Sequence, residues 1–310
     1  MGKCFSFASS IDSCYRYSFE RAGLKSITTN LGEGTTMHCW APKNNKQNKP
    51  NLVLLHGIGA NAMWQWDYFI SPLIPKFNVY VPDLVFFGES YTTRSERTES
   101  FQAQCVMKMM EKLGVKKMSV CGVSYGGFVA YSMTAQFADA IEKLVLVCSG
   151  ICLEEKDMED GMFKVSNLDD AADILLPQTP AKLKELLKFA FYKPNKFVPS
   201  CFLQDFIQVL CAEHREERKQ LIQALHKDRK LANLPKINQN TLIIWGEHDQ
   251  IFPTELAHRL KRHIGDSAKL VFIKKAGHAL NIEKPKAMYK EMKAFLLNAD
   301  VKPQSNGNTK

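Results

Sequence analysis

Short apolar runs alternate with segments of helical pattern along most of the chain. Residues 24–40 predict a β-hairpin that turns at residues 31–34. Six later runs predict one strand each: residues 52–55, 79–81, 118–121, 144–147, 242–245 and 270–273. Apart from Ser119, the residues of these later runs are apolar, which is typical of strands covered by helices on both faces. The pattern therefore predicts an α/β fold with a mostly parallel, eight-stranded sheet flanked by helices.

The helices between the strands are marked by their end signals. Residues 98–113 have apolar positions at helical spacing and end at Gly114. Residues 254–264 follow Pro253, and Pro285 opens a last helix that reaches about residue 298. Residues 151–235 show no strand pattern and read as short helices interrupted by prolines. We predict that they form a helical lid over the sheet.

These segments predict how the chain is divided. Residues 1–23 form an N-terminal arm, residues 24–150 and 236–298 the α/β core, residues 151–235 the lid or cap, and residues 299–310 a polar, disordered tail. Aromatic residues in the lid allow two interpretations, packing within the lid or contact with a ligand beneath it: Phe189, Phe191, Tyr192, Phe197, Phe202 and Phe206.

A serine lies at the junction between a predicted strand and a helix. Residues 122–126 read Gly-Val-Ser-Tyr-Gly, with an apolar run before them and a helix-compatible run after them. This G-x-S-x-G pattern in this context predicts a nucleophile elbow, in which Ser124 is held on a sharp turn. The pentapeptide alone recurs by chance in roughly one chain in ten of this length, so the prediction depends on partners elsewhere.

Two later loops supply candidate partners in the order that this kind of site requires. Asp249 follows the strand at residues 242–245, and His278 follows the strand at residues 270–273. A serine hydroxyl needs a general base, and the base needs a carboxylate that orients it. Glu247 is an alternative acid, whereas the neighbouring His248 lies on the wrong loop to serve as the base.

The loop after the strand at residues 52–55 is a candidate oxyanion hole. It reads His56-Gly57-Ile58-Gly59, and its glycines let the backbone turn towards the serine. The amides of Ile58 and Tyr125 are the predicted donors to the negative oxygen of a tetrahedral intermediate. His56 is interpreted as a structural loop residue.

Composition narrows the class of protein further. The net charge is +9, but the basic residues are spread along the chain and mixed with acids, which does not favour nucleic-acid binding. Nine cysteines without Cys-x-x-Cys spacing fit a reducing compartment and not a structural zinc site. The sequence shows no signal peptide and no apolar run of the ~20 residues that span a membrane. We expect a cytoplasmic protein without cofactor or metal.

The first six residues match a lipidation pattern. Met1-Gly2-Lys3-Cys4-Phe5-Ser6 fits M-G-x-x-x-[ST], the signal for N-myristoylation. Acylation of both Gly2 and Cys4 would attach the protein to a membrane, because two acyl chains anchor stably where one is marginal. The alternative is an ordinary arm with an unmodified glycine.

Together the motifs resemble those of the α/β-hydrolase-fold superfamily, in particular plant monoacylglycerol-lipase-like proteins and carbon–carbon-bond hydrolases with a helical cap. The matching motifs span nearly the whole chain: HGIG at 56–59, PDLVFFGES at 82–90, GVSYGG at 122–127, WGEHDQIFP at 245–253 and AGHAL at 276–280. The resemblance implies a serine hydrolase that cleaves a small-molecule ester through an acyl-enzyme, with Ser124 as nucleophile, Asp249 as acid and His278 as base. The apolar lid favours an apolar acyl ester or a monoacylglycerol.

Two positions depart from the patterns of relatives. Phe86 stands where many members have the first glycine of D-L-x-G-x-G-x-S, and we expect this loop to border the pocket. Glu283 stands where an acyltransferase subgroup has the aspartate of H-x-x-x-x-D, so acyl transfer stays open. Two other functions also stay open. One is a hydroxynitrile lyase, although such lyases generally need an extra lysine in the pocket and none can be placed here. The other is a slow-turnover receptor for a small apolar ligand. Ser124 argues against epoxide hydrolases and dehalogenases, which need an aspartate nucleophile.

Overall fold

One sheet of nine strands organises the described part of the chain. The structure, a computed structural model, describes residues 6–165, 167–195 and 197–298. The strands are β1 (Leu24–Gly32), β2 (Thr35–Pro42), β3 (Asn51–Leu55), β4 (Asn78–Pro82), β5 (Tyr91–Thr92), β6 (Met118–Val123), β7 (Ile141–Val147), β8 (Asn240–Gly246) and β9 (Ala268–Ile273). Eight of them lie in the order β1-β2-β4-β3-β6-β7-β8-β9. The ninth, β5, has two residues, pairs with β2 and was not predicted.

The sheet is antiparallel at one edge and parallel elsewhere. β1 pairs with β2 as the predicted hairpin, and β2 pairs antiparallel with β4. From β4 through β3, β6, β7 and β8 to β9 every pairing is parallel. β3 lies inside this part, since Leu52 pairs with Val79 on one side and with Ser119 on the other. The four leucine and valine side chains of β3 are fully buried, as its apolar sequence requires.

Helices flank this sheet. In the described residues they are α1 (Phe7–Arg21), α2 (Ala62–Leu73), α3 (Glu99–Lys112), α4 (Tyr125–Gln136), α5 (Lys156–Glu159), α6 (Leu168–Leu175), α7 (Pro180–Ala190), α8 (Ser200–Phe206), α9 (Arg215–His226), α10 (Thr254–Ile264), α11 (Leu280–Glu283) and α12 (Pro285–Leu297). The three helices whose ends were predicted from the sequence, α3, α10 and α12, lie within one residue of the predicted bounds. α2 was not predicted, because its run of aromatic and apolar residues has no clear polar face and contains Pro72.

The helices α5 to α9, here called the cap, lie in the chain between β7 and β8. The described residues of this segment contain no strand. α8 passes directly into a five-residue π-helical turn, Ile207–Cys211. The cap contacts the core through α9 on α3, and it contacts the N-terminal helix through α8 on α1.

Residues 1–23 were predicted as an arm, and their described part is mostly the helix α1. The hydroxyl of Ser6 caps this helix by accepting from the amide of Ser9 at 3.0 Å. α1 packs on α2 and α8, and it buries Ala8 and Phe19. Its serines and tyrosines have low helix propensity, so the helix depends on this packing. None of the described helices is long and apolar enough to serve as a membrane span. The predicted acylation sites, Gly2 and Cys4, and the predicted tail at 299–310 lie outside the described residues.

Candidate active site

Ser124 lies at a sharp turn between the end of β6 and the start of α4. Its φ of 52° is in the left-handed region, which is strained for a residue with a side chain. A Cβ on Gly122 would lie 2.2 Å from the carbonyl oxygen of Gly126, and one on Gly126 would lie 2.4 Å from that of Leu55. The hydroxyl of Ser149 donates to the Ser124 carbonyl at 2.7 Å. The glycines therefore permit the turn, and Ser149 helps to hold it.

The structure brings the three predicted triad residues together. Nε2 of His278 lies 2.9 Å from Oγ of Ser124, and Nδ1 of His278 lies 2.9 Å from Oδ2 of Asp249. Asp249 and His278 follow β8 and β9, and these parallel strands end at the same edge of the sheet. The geometry suits transfer of the Ser124 proton to a histidine that is oriented by a carboxylate.

The carboxylate of Asp249 is fully buried and held by its own loop. Oδ1 accepts hydrogen bonds from the backbone amides of Ile251 and Phe252, both at 2.9 Å. The other oxygen is thereby aimed at His278. The alternative acid Glu247 is 47% exposed, and its carboxylate lies beside His248 and the amide of Lys275. The geometry thus favours Asp249 as the acid.

Sequence reasoning missed Cys148, whose thiol lies beside the Asp249 carboxylate. Burial, followed by the charge of Asp249, raises the pKa of this thiol well above its ordinary value. The donor atoms of Cys148, Asp249 and His278 lie within 4.8 Å of one another, a set of ligand types found in metal sites. Both Cys148 and His278 are hydrogen-bonded to the buried carboxylate of Asp249. The sequence did contain a signal for this contact, because Cys148 directly follows β7 and therefore lies at the same edge of the sheet as Asp249.

Ile58 and Tyr125 border the same cavity as Ser124. The loop that carries Ile58 approaches the serine closely, since a Cβ on Gly57 would lie 3.0 Å from Cβ of Ser124. The side chain of Gln65 holds this loop by accepting from the Gly57 amide at 2.8 Å and donating to its carbonyl at 2.9 Å. Tyr125 begins α4, where the helix dipole favours a negative charge. The two amides remain the proposed oxyanion donors.

The other two histidines of these loops have structural contacts. The fully buried His56 has Nδ1 2.8 Å from the Gly57 carbonyl, and its Nε2 accepts from the amide of Leu84 at 2.9 Å. Burial lowers the pKa of His56, so its ring is neutral. His248 stacks on the ring of Tyr192 at a centroid distance of 4.4 Å.

Glu283 ties the loop of His278 to the end of α7 in the cap. One carboxylate oxygen accepts from the amide of Gly277 at 2.8 Å and from that of Tyr192 at 3.1 Å. The other oxygen accepts from the amide of Lys193 at 3.1 Å. A Cβ on Gly277 would lie 2.6 Å from the carbonyl oxygen of Ala190, so only glycine permits this approach. Glu283, which stands in place of the aspartate of the acyltransferase motif, thus helps to hold the loop of His278.

Two cavities meet at Ser124, and both also border Ile58 and Leu175. The first cavity lies between the core and the cap helices α5, α6 and α9. Most of its wall is apolar: Ile58, Leu153, Met158, Phe163, Val165, Leu168, Ile174, Leu175, Phe189, Ile222, Leu225, Ile251 and Phe252. The second cavity borders His278 and lies towards α1, α2, α7 and α8. The walls of these cavities contain three residues of the predicted aromatic cluster, namely Phe189, Phe191 and Phe206, whereas Phe197 is 91% exposed.

The loop of Phe86 does not border either cavity in the described part of the chain, contrary to the sequence prediction. Phe86 adopts the left-handed φ of 76° that a glycine would take there. Its carbonyl accepts from Nε of Arg218 in α9 at 2.8 Å, and its ring lies 4.6 Å below the guanidinium of Arg97. The bond to Arg218 thus joins the Phe86 loop to α9 of the cap.

Family profiles match most of the chain. A profile described as alpha/beta hydrolase fold matches residues 50–196, and a profile described as TAP-like protein matches residues 206–308. The chain belongs to the α/β-hydrolase superfamily. The first match in this hydrolase includes Ile58 and Ser124, and the second includes Asp249 and His278.

The hydrolase is similar to proteins from animals and bacteria. It is 27% identical to the monoacylglycerol lipase ABHD6 of Mus musculus, over 83% of this chain and 79% of that protein. It is 25% identical to lipase 3 of Moraxella sp. (strain TA144), over 90% of this chain and 87% of that protein. The crystal structure of a putative lipase from Acinetobacter baumannii AYE matches with a TM-score of 0.79 and 23% identity, over 96% of this chain and 98% of that chain. The fold prediction is confirmed, and the plant source stays a prediction.

Proposed function

We propose that this hydrolase cleaves carboxylic esters with Ser124 as nucleophile, His278 as general base and Asp249 as the orienting acid. The protein is a carboxylic ester hydrolase, in agreement with the family and with relatives named as lipases. The observation that supports the triad is the continuous line of hydrogen bonds from Ser124 through His278 to the buried Asp249. No cofactor takes part in this proposal.

The proposed reaction has two steps. Oγ of Ser124 attacks the ester carbonyl while its proton passes to Nε2 of His278, and the negative oxygen rests on the amides of Ile58 and Tyr125. His278 then gives this proton to the leaving alkoxide, which departs as the alcohol. In the second step a water molecule gives a proton to His278 and attacks the acyl-enzyme, and His278 returns the proton to Ser124 as the acid leaves.

The substrate class follows from the first cavity. Its aliphatic and aromatic wall favours an uncharged alkyl chain, because burial of each methylene contributes about 0.8 kcal/mol. We propose apolar acyl esters, including monoacylglycerols, as substrates. The relative in Mus musculus is named a monoacylglycerol lipase, which supports this proposal. Peripheral attachment to a membrane through Gly2 and Cys4 is a further proposal that intact-mass analysis of the eukaryotically expressed protein would test.

The relatives named as lipases do not favour a receptor, a lyase or an acyltransferase. A lysine does border the first cavity: Lys164, which hydrogen-bonds to the side chain of Gln250. A mandelonitrile cleavage assay on the wild-type protein would reveal a hydroxynitrile lyase.

A panel of p-nitrophenyl esters from acetate to palmitate tests the proposed function. We expect the wild-type protein to hydrolyse them with a preference for medium or long chains. Ser124→Ala should lower kcat by at least on the order of 10³-fold. Ser132→Ala, a change on the outer part of α4, is the matched control and should keep wild-type rates. If Ser124→Ala keeps most of the turnover, the proposed role of Ser124 is wrong.

A further inference from the structure

The N-terminal helix α1 contributes to the second cavity beside Ser124. Tyr15 of α1 lies in its wall, with its ring 5.3 Å from the ring of Trp64 in an edge-to-face arrangement. On the other side of Trp64 lies a third cavity, between α1, α7 and α8. All of its lining residues are apolar: Phe7, Ala8, Ile11, Trp64, Leu183, Leu187, Val198, Phe202, Leu203 and Phe206. Four of these, Trp64, Leu183, Leu187 and Phe206, also line the second cavity.

Two aromatic rings, those of Trp64 and Phe206, form part of the wall that the second and third cavities share. Trp64 and Phe206 meet edge to face at 5.5 Å. Phe206 is the last residue of α8, and the π-helical turn Ile207–Cys211 begins directly after it. Such π-helical turns are uncommon in proteins, and those that occur are often found at functional sites. At the far end of the third cavity Phe7 and Phe202 are 48% and 43% exposed, so the cavity reaches the surface.

α1 is fixed to both sides of this path by polar contacts. The carboxylate of Asp205 in α8 accepts from the amide of Ala8 at 2.7 Å, at the start of α1. The carboxylate of Asp12 accepts from the indole nitrogen of Trp64 at 3.0 Å and from the amide nitrogen of Asn61 at 3.3 Å. These bonds hold α1 against the cap and the core, so the helix is a fixed part of the wall.

The chemistry of the triad decides which part of a bound ester lies in the second cavity. The leaving oxygen must be within hydrogen-bond reach of Nε2 of His278, because His278 protonates it. Among the described residues His278 borders the second cavity and not the first. The alcohol portion of the ester therefore extends into the second cavity, and the acyl chain occupies the first.

We propose that the second and third cavities form one apolar path for the alcohol portion. Among apolar acyl esters, α1 thereby makes this hydrolase prefer those whose alcohol side carries a long alkyl chain over monoacylglycerols, whose alcohol is glycerol. This inference rests on the proposed ester hydrolysis and adds the alcohol class. Two kinds of ester have such an alcohol side. One is an ester of a long-chain alkanol, and the other is a diacylglycerol, in which the second acyl chain stays on the glycerol that leaves. The polar side chains of the second cavity, Gln65 and Asn281, lie near the reacting end, whereas the wall beyond Trp64 is apolar.

The test compares the hydrolysis of ethyl, octyl and dodecyl butanoate, measured by titration of the released acid. Dioctanoylglycerol is included as a glycerolipid substrate. We expect kcat/KM to rise about tenfold or more from ethyl to dodecyl butanoate, as buried methylenes add to binding. Ile11→Trp fills the third cavity and should remove this rise in kcat/KM from ethyl to dodecyl butanoate. Ser13→Trp, at an exposed position of α1, is the matched control and should behave as wild type.

A second series with methyl esters of graded acids separates the two ends of the substrate. If Ile11→Trp lowers the rates for long acids and spares long alcohols, the assignment of the path is overturned. It is equally overturned if dodecyl butanoate is no better than ethyl butanoate for the wild type. Calorimetric binding of dodecanol does not depend on turnover: about tenfold weaker binding to Ile11→Trp supports the path even if no ester is cleaved. Unchanged binding contradicts it. Circular dichroism and urea unfolding show whether each variant is folded.

Discussion

Removal of the Glu283 carboxylate should loosen the loop that carries His278. In the structure this carboxylate accepts from the amides of Gly277, Tyr192 and Lys193, at 2.8, 3.1 and 3.1 Å. Gly277 is the residue before His278, and the other two follow the end of α7 in the cap. Glu283→Ala leaves all three amides without this acceptor, whereas Glu283→Gln keeps a carbonyl oxygen that can accept from two of them.

The size of the expected loss of kcat in Glu283→Ala follows from the burial of the amides that lose their acceptor. A hydrogen bond to a charged group contributes about 1.5–3 kcal/mol, and a buried amide left without an acceptor costs about 1–3 kcal/mol. Gly277 is buried and Lys193 is exposed, so most of the loss falls at Gly277. A cost of about 1.4–3 kcal/mol to the docked loop corresponds to a decrease in kcat of about 10- to 100-fold. Because the substrate cavities keep their walls, KM should change little.

The assay is the steady-state hydrolysis of p-nitrophenyl butanoate by the wild type, Glu283→Ala and Glu283→Gln, with urea unfolding of each variant. We expect Glu283→Gln to retain kcat within about threefold of wild type, since it keeps the bond to Gly277. A purely structural role would lower the free energy of unfolding of Glu283→Ala and leave kcat at the wild-type value. That result would refute the positioning role of Glu283.

Gly126→Ala should prevent folding or lower the free energy of unfolding by about 3 kcal/mol or more, because its Cβ would lie 2.4 Å from a backbone oxygen. A maleimide should label the exposed Cys14 rapidly and Cys148 slowly in the native protein, because burial raises the pKa of the Cys148 thiol. His56 should destabilise the protein at acid pH: burial lowers its folded pKa from 6.5, so below about pH 6.5 the unfolded state takes up a proton that the folded state refuses. The free energy of unfolding should then fall by up to about 1.4 kcal/mol per pH unit, and less in His56→Asn.

Each of these predictions has a contrary outcome. Gly59→Ala is the control for Gly126→Ala, because a Cβ on Gly59 meets no atom within 4 Å. Equal stability of the two variants would show that the close approach at the elbow is not required. Equal labelling rates at Cys14 and Cys148, measured by peptide mass spectrometry, would contradict the buried thiol. A pH dependence of His56→Asn as steep as that of the wild type would remove His56 as its source.

The sheet, and the meeting of Ser124, Asp249 and His278 at its edge, were accessible to sequence reasoning because their signals are local. Each parallel strand contains a short apolar run, as in β3, and the loops after β8 and β9 carry single residues with distinctive chemistry. Parallel strands bring such loops to one edge of the sheet, so Asp249 and His278 were predicted to meet Ser124.

The contacts between distant segments were not accessible in this way. α1 has low helix propensity and is stabilised by packing on α2 and α8, a property that periodicity does not reveal. The thiol of Cys148 and the carboxylate of Glu283 gain their surroundings from other loops and from the cap. The loop of Phe86 was misjudged because its motif position says nothing about Arg218, which draws its carbonyl under α9.

The central claim is that Ser124 is the nucleophile of a catalytic triad, and covalent labelling tests it most directly. The protein is treated with a fluorophosphonate, which reacts with activated serines, and the modified peptide is identified by mass spectrometry. We predict one adduct per chain, on Ser124, formed in parallel with the loss of esterase activity and much more slowly in His278→Ala. An adduct on another residue, or full esterase activity after labelling of Ser124, would contradict the claim.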